Sequence, residues 1–247
     1  MDFYLLIISF FVIALIYSSV GFGGGSSYLA LLAIAGVSFE LIRPAALLCN
    51  IIVVSGGTFI FYREGLIDIK KSWPFLAASI PLAFLGGFWP VKEHTFFVIL
   101  GFTLFVAALI LWFQDAINVD GKKYKSDNIT LNVGLGGSIG FLSGLVGIGG
   151  GIFLSPVLHF IRWDEVKKIS ALGSIFILVN SISGLAGQLS RSASFDWKFI
   201  LPLLVAVLIG GQIGSRLGAK RFNPIYIKRI TAIVILVAGL NILKDHL

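Results

Sequence analysis

The chain reads Gly21-Phe22-Gly23-Gly24-Gly25-Ser26-Ser27, GFGGGSS in one-letter code, directly after the apolar run DFYLLIISFFVIALIYSSV of residues 2–20. That run is greasy enough for the interior of a bilayer, where irregular backbone is tolerated only if it is buried in protein or lines a wet cavity. Each unsatisfied amide there costs several kcal/mol. The glycine stretch is therefore either a packed turn or a site. The pattern returns as VGIGGGIFLSP at Val146 to Pro156, at an offset of 126 residues from VGFGGG at Val20 to Gly25.

Composition settles the class. Of 247 residues 57% are hydrophobic, 22 are Phe and only 13% are charged, against about 25% charge in soluble domains. The apolar residues run continuously instead of alternating, which excludes a membrane β-barrel and predicts an all-α integral membrane protein. The first run is too long, and too poor in N-terminal positive charge, for a cleaved signal peptide, so the whole chain is expected in the mature protein. The net charge of +7 is spread over many loops, as membrane orientation requires, and does not point to nucleic acid. The single cysteine, Cys49, reads as a small buried hydrophobe.

The similarity between the two glycine stretches extends to both sides. Arg43-Pro44-Ala45-Ala46-Leu47 falls near Lys168-Ile169-Ser170-Ala171-Leu172, Asp68 with Pro74 matches Asp196 with Pro202, and Gly86-Gly87 answers Gly210-Gly211. Co-linear matches of this kind mark an internal repeat. The chain divides into an N-terminal repeat (1–113), a cytoplasmic linker (114–129) and a C-terminal repeat (130–247).

Each repeat contains about five helical segments, expected at 3–20, 26–36, 41–62, 72–90 and 95–113, and at 130–146, 152–161, 169–188, 199–215 and 226–243. The second segment of each is too short to span comfortably, so each half holds a glycine-rich broken or re-entrant helix pair. An odd number of reversals per half makes the two repeats inverted. Basic residues support this: of the 19 Lys and Arg, only Arg43, Lys92, Arg191, Lys198 and Lys244 fall on one side, and the rest on the other. Four crossings per half would divide them almost evenly, without the bias that the positive-inside rule requires. Both termini are then expected outside, in a multi-pass protein of the inner (plasma) membrane. All five Trp (73, 89, 112, 163 and 197) sit at segment ends, where an aromatic belt belongs.

Inverted repeats with interrupted helices are the architecture of secondary transporters, whose substrates bind at the repeat interface. A glycine turn feeding a short helix presents free amides and a positive dipole end, which suits an anion. Ser26 and Ser27 add hydroxyl donors, whereas Ser155 and Pro156 follow the second turn. A dinucleotide fingerprint is absent, since the third glycine, the preceding strand and the downstream acid are missing. There is also no HExxH and no cluster that suits a metal, so the chain does not read as an enzyme.

The paired VGFGGG and VGIGGG-x4-P motifs, and the basic residue before each following helix, resemble the sulfite exporter TauE/SafE family of membrane permeases. The resemblance covers essentially the whole chain. It implies transport, mostly outward, of small sulfur-containing anions such as sulfite or organosulfonates. The first copy departs from the motif, with Ala30 where the second has Pro156.

The residues expected to bind substrate are Gly23, Gly24, Gly25, Ser26, Ser27 and Asn50 from the first half, and Gly149, Gly150, Gly151, Ser174 and Asn180 from the second. Arg43 and Lys168 occupy matching positions and are either anion-attracting cations or interfacial snorkels. Ser18, Ser19, Ser55, Ser183, Gln188 and Gln212 also lie within apolar segments, where interhelical hydrogen bonding is their commoner role. Gly136, Gly140 and Gly144, and likewise Gly210, Gly214 and Gly218, recur every four residues and predict close helix contacts. No Asp or Glu falls in the middle of a span, so no carboxylate proton relay is evident, and His159 stands alone. No cofactor is expected; H+ or Na+ coupling and uncoupled flow stay open, as do an anion channel and a homodimer.

Overall fold

The computed structural model describes residues 2–19, 21–113, 128–161, 163–191, 196–221 and 224–246. They form ten helices and no strand: α1 (Phe3–Ser18), α2 (Gly25–Ile34), α3 (Phe39–Arg63), α4 (Ile69–Phe88), α5 (Glu93–Phe113), α6 (Ile129–Val146), α7 (Gly151–Phe160), α8 (Val166–Leu189), α9 (Trp197–Arg221) and α10 (Pro224–His246). Most of the expected linker lies outside the described residues; its end, Asn128, caps α6 by accepting from the Leu131 amide. Helix α9 runs past the expected boundary at 215 to Arg221.

Helices α3, α5, α6, α8 and α9 are long and apolar enough to cross a membrane. Helices α2 and α7 have ten residues each, about 15 Å, half the hydrocarbon thickness. Pro156 and Ala30 therefore stand in helices of equal length.

Local chemistry sets the breaks. Helix α1 stops because Gly21 adopts a left-handed φ of 82°, letting the Phe22 amide donate to Tyr17 O and the Gly21 amide to Ser18 O. This is a Schellman cap, which needs glycine at that position. One turn later Gly24, φ 84°, begins α2, and its carbonyl accepts from the Ser27 and Tyr28 amides. Gly150, φ 81°, begins α7 in the same way, accepting from Phe153 and Leu154.

Glycine also sets how the helices pack. A Cβ on Gly136, Gly140 or Gly144 of α6 would overlap the backbone of Phe75, Ser79 or Ala83 of α4. Gly210 and Gly214 of α9 lie equally close to Phe11 and Leu15 of α1. Both pairs are parallel, since residue numbers rise together. The expected glycine stripes are thus helix contacts; Gly218 lies outside the residues whose surroundings are described. Helices α3 and α8 are antiparallel, with Leu47 by Gly184 and Thr58 by Ser174. So are α5 and α10, with Gly101 by Leu243 and Phe97 by His246.

Large apolar side chains cover the outside, among them Tyr4, Phe59, Phe102 and Leu201, as a lipid-facing surface requires. Trp73, Trp89, Trp112 and Trp197 are exposed. Trp163 departs from the expected belt: it is buried, edge-on to Phe75 with ring centroids 6.0 Å apart. Its aromatic body fills the core beside α4 instead of anchoring at an interface.

Candidate functional site

The two glycine turns meet in the middle of the protein, and Asn50 of α3 stands between them. Asn50 is fully buried and donates through Nδ2 to the carbonyl of Ile148 at 3.0 Å. A Cβ on Gly23 would lie 2.6 Å from Asn50 Oδ1, one on Gly149 2.8 Å from Nδ2, and one on Gly25 2.5 Å from Ile148 O. Only glycine permits this approach from both sides. Asn50 Oδ1 itself has no hydrogen-bond partner among the described residues.

A cavity of about 20 Å³ sits at this waist, lined by Gly23, Gly24, Gly25 and Ser26 from the first turn and by Ile148, Gly151 and Ile152 from the second. That is room for about one water. The Gly23, Gly24, Gly25 and Ser26 amides donate to no acceptor among the described residues, nor do those of Gly149, Gly150, Gly151 and Ile152. Two helix N-termini thus bring free donors, with their positive dipole ends, to one place.

The other expected residues divide. Ser26 lines the cavity, whereas Ser27 is fully buried with its hydroxyl 2.6 Å from the Tyr17 phenol. Ser174 lies away from the waist, its Oγ 2.7 Å from Thr58 Oγ1, and joins α3 to α8. Asn180 donates to the carbonyl of Phe176 in its own helix at 2.8 Å, leaving Oδ1 unpartnered.

The matching cations also differ from each other. Arg43 is buried, donating from Nη2 to Gly144 O at 3.2 Å and to Gly86 O at 3.5 Å, with the guanidinium 5.8 Å from the Phe96 ring centre. It does not snorkel. Lys168 is partly exposed and pairs with Asp164 at 3.4 Å, while Lys71 of α4 reaches the same carboxylate at 2.8 Å. Partial burial would raise the Asp164 carboxyl. The Lys71 hydrogen bond, the Glu165 amide and the charges of Lys71 and Lys168 outweigh that effect and hold it below the ordinary carboxylate value.

Three contributors escaped the sequence reading. Tyr28 stacks on Phe10 with ring centroids 4.7 Å apart, and its phenol, buried without a partner, would lie 3.0 Å from a Cβ on Gly24. Ser181 and Ser143 bring buried, unpartnered hydroxyls beside Gly149 and Gly150. Ser181 follows Asn180 directly, so a polar pair in an apolar span was the available signal; which of the two faces the turn depends on helix rotation.

Residues 5–242 match the model of the sulfite exporter TauE/SafE family. The chain is 33% identical over 241 residues to "Probable membrane transporter protein y4hK" of Sinorhizobium fredii, covering 96% of this chain and 97% of that one. It is 22% identical to "Probable membrane transporter protein YunE" of Bacillus subtilis, covering 99% and 98%. A third relative, "Probable membrane transporter protein MJ0441" of Methanocaldococcus jannaschii, is 24% identical, covering 97% and 94%. Broken apolar helices, paired glycine turns and a match across nearly the whole length agree: the chain belongs to the sulfite exporter TauE/SafE family of membrane transporters.

Proposed function

We propose that the protein is a permease for small sulfur-containing anions, sulfite or an organosulfonate, and that its substrate passes between the two glycine turns. The observation that carries this reading is the meeting of both turns at Asn50, with unspent amide donors on each side. A desolvated anion needs donors to replace its water, and two opposed helix N-termini supply them at fixed positions. The waist cavity of about 20 Å³ is too small for sulfite, so the substrate enters only when the turns part. The glycines carry no side chains of their own across the contact, so parting the turns breaks chiefly the Asn50–Ile148 hydrogen bond.

The helix pairing supports inverted repeats. Helices α4 and α6 are parallel and so are α1 and α9, which is the same pair with the halves exchanged. The self-matching pairs α3 with α8 and α5 with α10 are antiparallel. A two-fold axis perpendicular to the helices, and hence in the membrane plane, produces this set of directions. The excess of Lys and Arg on one side supports a reading with the termini outside the plasma membrane and the linker in the cytoplasm.

The test is flux of radiolabelled sulfite into proteoliposomes of the purified protein, competed by sulfonates, sulfate and cations, first at zero potential and then with proton or sodium gradients. Saturable flux inhibited by sulfonates is expected, and stimulation by one gradient identifies the coupling ion. Absence of anion flux from folded protein would overturn the cargo assignment.

A further inference from the structure

A second cavity lies away from the waist and shares no lining residue with it. It is an open cavity of about 230 Å³ where the first turns of α3 meet the ends of α4 and α8, and its polar lining is Glu40, Arg43, Gln188 and Arg191. We propose that this cavity is a binding site for a monovalent oxoanion with a short apolar tail, a small sulfonate or carboxylate.

The argument begins with donors left unspent. Arg43 is buried, yet its acceptors are two backbone carbonyls reached from Nη2, and Nε has none. A guanidinium carries five N–H donors, and Arg43 forms no ion pair among the described residues. Gln188, also buried, leaves Nε2 without an acceptor. Arg191 adds a second cation, exposed and likewise without an ion pair. Two like charges converging beside an orphaned amide call for an anion.

Charge and shape narrow the class. Glu40 lines the same cavity, so the side chains sum to one positive charge and a monovalent occupant balances them. Phe39, Pro44 and Val91 supply apolar wall, and the volume leaves room for a tail that the waist cannot hold. The floor touches the mechanism, because a Cβ on Gly147 of the second turn would lie 3.5 Å from Arg43 Cα. An anion seated here waits one step from the second turn. The chemistry of the site stands by itself; its role as a station on the path rests on the transport reading.

The test is calorimetric titration of the purified protein with ethanesulfonate at low ionic strength, alongside Arg191→Gln, Gln188→Leu and, as a surface-charge control, Lys70→Gln, an exposed residue outside the cavity. The wild type should bind saturably, Arg191→Gln and Gln188→Leu should each weaken binding about tenfold or more, and Lys70→Gln should leave it unchanged. Arg191 is exposed, so its variant folds even if Gln188→Leu does not. Wild-type affinity in Arg191→Gln, or no binding to the wild type, overturns the proposal. Sulfite flux separates the two readings: flux without ethanesulfonate binding removes this site alone, and binding without flux removes the transport reading alone.

Discussion

Asn50 is the residue through which the two halves feel each other. Its side chain replaces water for the Ile148 carbonyl of the second turn, and its length sets how closely the first turn approaches. Asn50→Ala removes that bond and leaves a buried carbonyl unsatisfied, at a cost of about 1–3 kcal/mol. Thermal unfolding in detergent should show the midpoint lowered, with sulfite flux reduced. Asn50→Asp should cost more, because an ionised carboxylate cannot donate to Ile148 and would bury a charge; equal stability of Asp and Asn would contradict the contact. Asn50 was legible in the sequence as a polar residue in an apolar span beside a break. Ser174, selected by the same rule, joins two helices instead. Polarity identifies a residue that needs a partner, but helix rotation decides which partner it finds.

At the scale of elements, the two ends of α8 behave differently. At its start the Lys71–Asp164–Lys168 cluster ties α4 of the first half to the second half. At its end Gln188 and Arg191 face an open cavity with Arg43. The closed end and the cavity end thus lie on opposite sides of the waist. Because Asp164 has a depressed folded pKa, its contribution is fully present above the ordinary carboxylate pKa of about 3.9 and is lost as pH falls through the lower folded value. Lys71 is 54% exposed, so the tie contributes about 0.2–1 kcal/mol, the range of solvated pairs. Unfolding temperatures of wild type and Asp164→Asn should therefore differ by about 1–3 °C from pH 5 to 7, and the difference should begin to shrink only below the ordinary carboxylate pKa of about 3.9 and vanish once pH has fallen through the lower folded value. A difference that persists in acid would assign Asp164 another role. The helix breaks themselves were legible, since a left-handed cap leaves glycine in the sequence. The tie was not, because Lys71 and Asp164 are 93 residues apart and only the fold brings them together.

At the scale of the whole molecule, the described residues form ten helices and no strand, as the continuous apolar runs predict. Adding the 126-residue offset to α1, α2 and α3 gives the starts of α6, α7 and α8 to within one residue, while α9 and α10 begin later than it predicts. Chemical inequality of the halves was harder to read. Arg43 and Lys168 match in sequence, yet one is buried on backbone carbonyls and the other held by Asp164, because the loop before α8 carries an acid where the loop before α3 carries Ser38. Repeat symmetry predicts position, and the local neighbours decide electrostatics.

The central claim is that substrate passes where the two turns meet. Its most direct test is sulfite flux, at equal reconstituted protein, in Gly24→Val, Gly150→Val and Gly36→Ala. All three glycines adopt left-handed φ, at 84°, 81° and 71°, so each variant carries backbone strain of about 1–2 kcal/mol. At Gly24 and Gly150 a Cβ would also press on Tyr28 and Phe176, whereas at Gly36 it meets open space. The account predicts that both waist variants remain in the membrane and lose nearly all flux while Gly36→Ala transports normally. Undiminished flux in either waist variant would contradict it.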